Sequence, residues 1–241
     1  MDLVICGDGR LGWAIAAAAH ARGDRARVLG RPGTRRHDAA SFARAEVLIE
    51  ASRAEAVADN VAAAVEGGIR RVVIATTGWE AQAGRVEDLV ASGQLATVAA
   101  ANLSIGAAIF GRLVERAAED FAAAPEFEPY LWEWHRRGKA DRPSGTAREL
   151  ARRIAEADPR AEDLEIASVR AGASPGVHVV GFDAPGETVE LRLTARDRSA
   201  YAAGALAAAD WLMAEPRPAG LHPFEHVIDA LYRPDVRVAV A

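Results

Sequence analysis

Four apolar residues, Leu3-Val4-Ile5-Cys6, run without a break into Gly7-Asp8-Gly9-Arg10-Leu11-Gly12, and Trp13 to Ala21 then has helical spacing. An apolar strand, a Gly-x-Gly-x-x-Gly turn and a helix, in that order, leave few folds open. The first glycine of such a turn allows a tight reversal. The second lets a pyrophosphate reach the backbone, and the third lets the helix pack on the strand. Gly7, Asp8, Gly9, Arg10, Leu11 and Gly12 are therefore candidate dinucleotide-binding residues. A glycine turn without a ligand is the plainer alternative. Strands are predicted next at Arg27–Leu29, Glu46–Glu50, Val72–Ala75 and Leu95–Ala99, with helices over Glu55–Glu66 and Glu80–Ala91. This alternation predicts an α/β domain built on a Rossmann-type doubly wound parallel sheet. Ligands of such sheets lie at the carboxyl ends of the strands, where the glycine turn, Ala51-Ser52, Thr76-Thr77 and Asn102 fall.

The rhythm changes after a long helical stretch, Ile105–Ala124. Strands are predicted at Tyr130–His135, Leu164–Ala171, Gly176–Asp183 and Thr188–Ala195, with one helix over Thr146–Ala157. That pattern fits a smaller α+β domain with an open mixed sheet. A helix over Ser199–Met213 returns the chain to the first domain, and a short helix is expected around Pro223–Leu231. The expected division is 1–106 with 204–241 for the dinucleotide-binding domain, and 107–203 for the second domain.

The end of the second strand bears on the cofactor. An NAD enzyme carries an acidic residue there to hold the adenosine ribose. Here the sequence is Gly30-Arg31-Pro32-Gly33-Thr34-Arg35-Arg36, with no acid and three arginines. Guanidinium groups suit a 2′-phosphate. NADPH is therefore the expected cofactor, with NADH as the other option; the alternative leaves these arginines simply solvated.

A second constellation lies in Trp132–Leu150, WEWHRRGKADRPSGTAREL. His135 and Lys139 are four positions apart, and Ser144-Gly145-Thr146 opens a helix after Pro143. Thr146 and Glu149 have capping-box spacing. Helix-start amides form an anion site, and Arg136, Arg137, Lys139, Arg142 and Arg148 add charge around it. A proton donor, an ammonium and a helix N-terminus suit a small carboxylate whose reaction needs a proton. A basic loop before a surface helix is the bland alternative. Imidazole titrates near neutrality, which makes His135 a workable acid. Nearby cations would favour its neutral form, and Lys139 is the other possible donor.

The chain of 241 residues has a net charge of −5, so no nucleic-acid partner is expected. Its single cysteine, Cys6, gives no disulfide framework and fits a reducing compartment. No apolar run approaches the ~18–20 residues of a membrane helix. No signal peptide is read at the start, so a cytoplasmic location is expected. His20, His37, His178, His222 and His226 form no metal-ligand spacing with Cys or carboxylates, so no metal is expected. The five Trp are read as packing, with Trp134 beside His135 the exception to watch.

GDGRLG, ATTGW, AANLSIG, WHRRGKADRPSGTA, SVRAGASPGVHVVGF and AGLHPFEHVID, in this order and spacing, resemble the dihydrodipicolinate reductase family nearly end to end. The resemblance implies an NAD(P)H-dependent oxidoreductase. It would reduce a cyclic unsaturated dicarboxylate to tetrahydrodipicolinate in lysine and diaminopimelate biosynthesis, usually as a homotetramer. Gly7, Gly9 and Gly12 would hold the pyrophosphate and Arg31 the adenosine ribose. Ser52, Ala75, Thr77 and Asn102 would lie along the nicotinamide half. His135 takes the proton-donor position, with Lys139 its partner. Ser144, Gly145 and Thr146 would grip a substrate carboxylate, with Arg136 and Thr77 beside them. There are departures: Arg136 stands for a second His, Arg142 for an Ala, and the glycine loop is one residue short. Another imino or oxo acid as substrate therefore stays open, as does a nucleotide-sensing protein without turnover.

Overall fold

A computed structural model of the chain describes residues 1–31 and 36–232. Arg35, one of the three arginines named above, lies outside the described residues. In chain order, β1 (Asp2–Cys6), α1 (Arg10–Ala21), β2 (Arg25–Leu29) and β3 (Val47–Glu50) come first. They are followed by α2 (Val57–Glu66), β4 (Arg71–Ile74), α3 (Ala83–Ser92) and β5 (Ala96–Ala99). Then come α4 (Ile105–Ala122), β6 (Glu128–His135), α5 (Gly145–Ala157), β7 (Ile166–Arg170), β8 (Gly176–Ala184) and β9 (Glu187–Ala195). Last are α6 (Ser199–Ala214), β10 (Gly220–Pro223) and α7 (Phe224–Tyr232). The chain divides into two compact units, one formed by residues up to Ile105 and again from Arg198, the other by Gly106–Asp197.

The first unit is a six-stranded sheet in the order β10-β5-β4-β3-β1-β2, parallel throughout. Its central strands are covered on both faces and so read as unbroken apolar runs. Val4, Cys6, Leu48, Val72 and Ile74 meet Val61, Ala64, Val86 and Val90 in one core. The chain reverses direction across the sheet between β1 and β3, which is where doubly wound sheets take ligands. β10 departs from expectation. Its segment holds Gly220 and Pro223, turn-forming residues that hide a strand in the sequence, yet it pairs in parallel with β5. Helix α1 also starts three residues earlier than predicted, at Arg10, with Gly9 as its N-cap. Arg10, Leu11 and Gly12 thus form its first turn.

The second unit is a four-stranded mixed sheet in the order β7-β6-β8-β9. Leu131, Val180 and Phe182 meet Phe110, Val114, Leu150 and Ile154 of α4 and α5 to form its core. The strand register sets the site: Glu133 of β6 lies opposite Ser168 of β7 and His178 of β8, and His135 lies opposite Arg170. Among the described residues, no helix is long and apolar enough to cross a membrane.

Candidate active site

In the first unit the three glycines of the turn differ in the space around them. Gly7 has φ +114°, a conformation that L side chains rarely adopt, and a Cβ there would lie 2.3 Å from the Ala51 carbonyl oxygen. A Cβ on Gly12 would lie 1.9 Å from the Gly7 carbonyl oxygen. Gly9 has nothing within 4 Å of that position, so the space above the start of α1 is open. Helix-start amides facing open space suit a pyrophosphate. A cavity of about 420 Å³ runs from this turn past Gly30, Arg31, Arg36 and His37, and is bounded on its other side by Ser52 and Asn60. One feature differs from expectation. β2 carries no acid at its end, but the glycine turn supplies one: a Cβ on Gly30 would lie 2.9 Å from Asp8 Oδ2.

Behind the cavity, Glu50 is fully buried at the end of β3. Its carboxylate accepts from the Ser52 amide at 2.9 Å, the Ser52 hydroxyl, Asn60 Nδ2 at 2.8 Å and Thr76 Oγ1 at 3.2 Å. Burial pushes its carboxyl upward, and these donors oppose that push. Its backbone carbonyl also accepts from the Ala75 amide at 2.8 Å. One buried acid thus ties down two of the loops that were expected to line the nicotinamide half. Thr77 is exposed on the loop after β4, and Asn102 Oδ1 accepts from the Ser104 amide.

In the second unit, His135 is buried at the end of β6. Its Nδ1 lies 3.3 Å from the Pro175 carbonyl oxygen, and its Nε2 lies 3.1 Å from Glu133 Oε2. Glu133 has no exposed surface. Its Oε1 accepts from the Ser144 amide at 3.0 Å, Ser168 Oγ at 2.8 Å and Arg170 at 2.6 Å. His178 stands 3.6 Å from Oε2, with its ring edge-on to that of His135. Glu133, His135 and His178 each bring one donor atom to within 4.8 Å of the others. The sequence argument against any such grouping looked for neighbours along the chain and missed one made by strand register. The cation this carboxylate meets is the Arg170 guanidinium.

Lys139 is hydrogen-bonded to Asp141 at 2.6 and 2.8 Å and remains partly exposed. Burial is the largest influence on His135 and lowers its proton affinity below the usual value, more than Lys139 or Arg170 does. Glu133 acts the other way. The helix that follows is capped by Ser144, whose hydroxyl accepts from the Ala147 amide at 3.1 Å, and not by Thr146. Glu149 pairs with Arg152 and Arg153 instead of closing a capping box. Ser144 is thus spent on the protein itself, and Gly145 and Thr146 are both half-buried. Arg136 is exposed, and the Arg142 guanidinium bonds the Ser168 carbonyl on β7. The Trp134 indole donates to the Ala171 carbonyl at 2.9 Å.

Comparison with known families covers both units. Residues 1–103 match the N-terminal model of dihydrodipicolinate reductase, and 106–228 match its C-terminal model. The chain belongs to the dihydrodipicolinate reductase family. It is an NAD(P)H-dependent oxidoreductase. The 4-hydroxy-tetrahydrodipicolinate reductase of Wolinella succinogenes is 35% identical over 185 residues, 69% of this chain and 71% of the relative. That of Archaeoglobus fulgidus is 34% identical over 208 residues, 79% of each chain. A dipicolinate-bound dihydrodipicolinate reductase from Paenisporosarcina sp. TG-14 has a similar fold, with a TM-score of 0.72 at 20% identity over 92% of this chain and 97% of that one.

Sequence reasoning about this reductase missed Glu133 and Arg170 and ranked His178 low. Period-two alternation from His135 back to Glu133 was the available signal. Burial alone would raise Glu133, but Ser144, Arg170 and Ser168 together draw its carboxyl down to about 2. His178 is held at about 4, chiefly by burial. Both groups hold fewer protons folded than unfolded, so both shifts stabilise the fold at neutral pH and are lost on acidification. His178 loses its share as pH falls from roughly 6.5 to 4, and Glu133 as it falls from roughly 4.5 to 2. Thermal melts across pH are expected to decline in both windows, and His178→Asn should lessen the decline in the upper one, to which His135 also contributes.

Proposed function

We propose that this chain reduces dihydrodipicolinate, or its hydroxy-tetrahydro precursor, to tetrahydrodipicolinate in lysine and diaminopimelate biosynthesis. The supporting observation is a single compact unit that retains His135, Lys139 and the Ser144-Gly145-Thr146 step on consecutive elements. The glycine turn fits a dinucleotide, because a Cβ would clash at Gly7 and Gly12 and would only fill open space at Gly9. Bound there, the nicotinamide supplies the hydride. Gly7 to Gly12 cradle the pyrophosphate; Ser52, Ala75, Thr77 and Asn102 border the nicotinamide half. Gly145, Thr146 and Arg136 hold a substrate carboxylate, with Ser144 in support as the cap of α5. His135 or Lys139 gives the proton that the substrate carbon needs once hydride has arrived. A steady-state assay with enzymatically generated dihydrodipicolinate precursor tests this. No nucleotide oxidation with that precursor, alongside intact nucleotide binding, would favour the sensing reading.

NADPH is the preferred donor, since Arg31 and Arg36 border the cavity beyond Gly30. Asp8 works against a 2′-phosphate and keeps NADH usable. Arg31→Ala is expected to raise KM for NADPH about tenfold and leave that for NADH nearly unchanged, as loss of a charged phosphate contact should. Asp8→Asn should shift the ratio further toward NADPH. Both KM values, measured side by side, decide it.

Arg136 and Arg142 support a second reading with a different cyclic imino acid as substrate. A panel of such imines assayed beside the diaminopimelate-pathway substrate separates the two. The protein also works as a homo-oligomer, a tetramer by family resemblance. The sheet face opposite α4 and α5 carries Tyr130, Trp132 and Trp134, with Val169 46% exposed. Sedimentation equilibrium measures the state directly.

A further inference from the structure

The second unit buries a carboxylate, Glu133, that the reductase reading does not use. His135 has a hydrogen-bond partner at Nδ1 and a carboxylate oxygen beside Nε2. The Pro175 carbonyl can only accept, so Nδ1 carries a hydrogen. Nε2 faces Glu133 Oε2 at 3.1 Å, and neither of these two buried atoms has a hydrogen-bond partner. The other oxygen, Oε1, is claimed by the Ser144 amide, Ser168 and Arg170. If His135 is neutral with its hydrogen on Nδ1, two lone pairs oppose each other across 3.1 Å in a site closed to water. If the hydrogen is on Nε2, the mismatch moves to Pro175. A positive charge on the ring turns the meeting of Nε2 and Oε2 from repulsion into attraction, while Nδ1 keeps its bond to Pro175.

We propose that Glu133 is the positioning residue that strengthens the hold of His135 on its proton, with Oε2 set 3.1 Å from Nε2 while the Pro175 carbonyl holds Nδ1. The division of labour within the carboxylate makes this possible. Three donors hold Oε1 still, so Oε2 is aimed and not free to swing. His178 closes the third side as a neutral ring: burial and the neighbouring His135 keep it unprotonated, and its Nε2 lies 3.2 Å from Ser144 Oγ. The groups that face His135 are Glu133 on its own strand, Arg170 on β7, His178 on β8 and Lys139 on the following loop, itself paired with Asp141. Of these, Glu133 alone is negative and in contact with the ring. Gly176 makes room for the imidazole: a Cβ there would lie 3.0 Å from His135 Cε1.

Glu133 touches neither substrate nor nucleotide in this account, and its effect on turnover rests on the reading of His135 as the acid. The test is therefore run in two arms on the full chain. In the first, ring nitrogens of His135 are titrated by NMR without substrate. Glu133→Gln is expected to move the His135 midpoint down by at least about one pH unit, the usual influence of a carboxylate at this distance. Glu133→Asp, which keeps the charge, should restore part of it. Glu133→Gln strands Arg170 in the interior, so a second variant, Glu133→Gln with Arg170→Met, removes both charges together. It should show the same sign of shift. An unmoved or raised midpoint in both variants overturns the proposal.

The second arm follows kcat/KM against pH. An acid must be protonated to act, so activity falls as pH rises through its midpoint. In Glu133→Gln that fall should begin about one unit lower, with nucleotide KM unchanged. If the NMR midpoint moves and the kinetic limb does not, Glu133 still controls His135, and it is the reading of His135 as the acid that fails.

Discussion

Replacing His135 with glutamine is expected to lower kcat at least about 100-fold, the usual range for loss of a general acid, while nucleotide affinity stays within about twofold. The two halves of this expectation come from separate parts of the molecule. His135 belongs to the second unit, and every residue around the glycine-turn cavity belongs to the first. A thermal melt of the variant, run beside the assay, separates loss of chemistry from loss of fold. Fluorescence titration with NADPH and steady-state turnover measure the two halves. Full activity in the variant would transfer proton delivery to Lys139, and Lys139→Met would then carry the large effect.

Gly12→Ala should be a severely damaging methyl in the nucleotide-binding unit. The added carbon would sit 1.9 Å from the Gly7 carbonyl oxygen and 3.1 Å from its carbon. Backbone must move to admit it, and Gly7 is already bonded through its amide to the Leu29 carbonyl at 2.8 Å. A cost of about 3 kcal/mol is expected for overpacking of this kind. In a chain of this length that corresponds to a fall in Tm of roughly 6–12 °C. Gly9→Ala is the matched control. Nothing lies within 4 Å of its added carbon, so the melt should stay put while nucleotide binding weakens. A Gly12→Ala protein that melts like the parent would refute the packing argument.

What could be read from sequence follows the range of the interactions. The glycine turn was legible because its physics lies within six residues. The alternation of strands and helices was legible because burial on both faces leaves apolar runs. Glu133, Arg170 and His178 were not, since β7 and β8 bring their partners from about 35 and 45 positions away and no local pattern encodes that register. The helix cap slipped by two residues because Ser144 and Thr146 are both good N-caps; the tertiary bond from the Ser144 amide to Glu133 favours the former. Asp8 was not legible as an acid beside the end of β2, because its carboxylate comes from the turn after β1. β10 was hidden by Gly220 and Pro223, residues that an edge strand tolerates.

That late strand bears on how the protein is made. The sheet that carries the glycine turn is finished by a segment translated after all of the inserted unit, and α6, which packs on α1, arrives late as well. On the ribosome the mixed-sheet unit, contiguous in sequence, is complete while its host still lacks an edge. Nascent β5 must wait with an unpaired flank, so a pause or truncation before residue 220 leaves that flank open to wrong pairing.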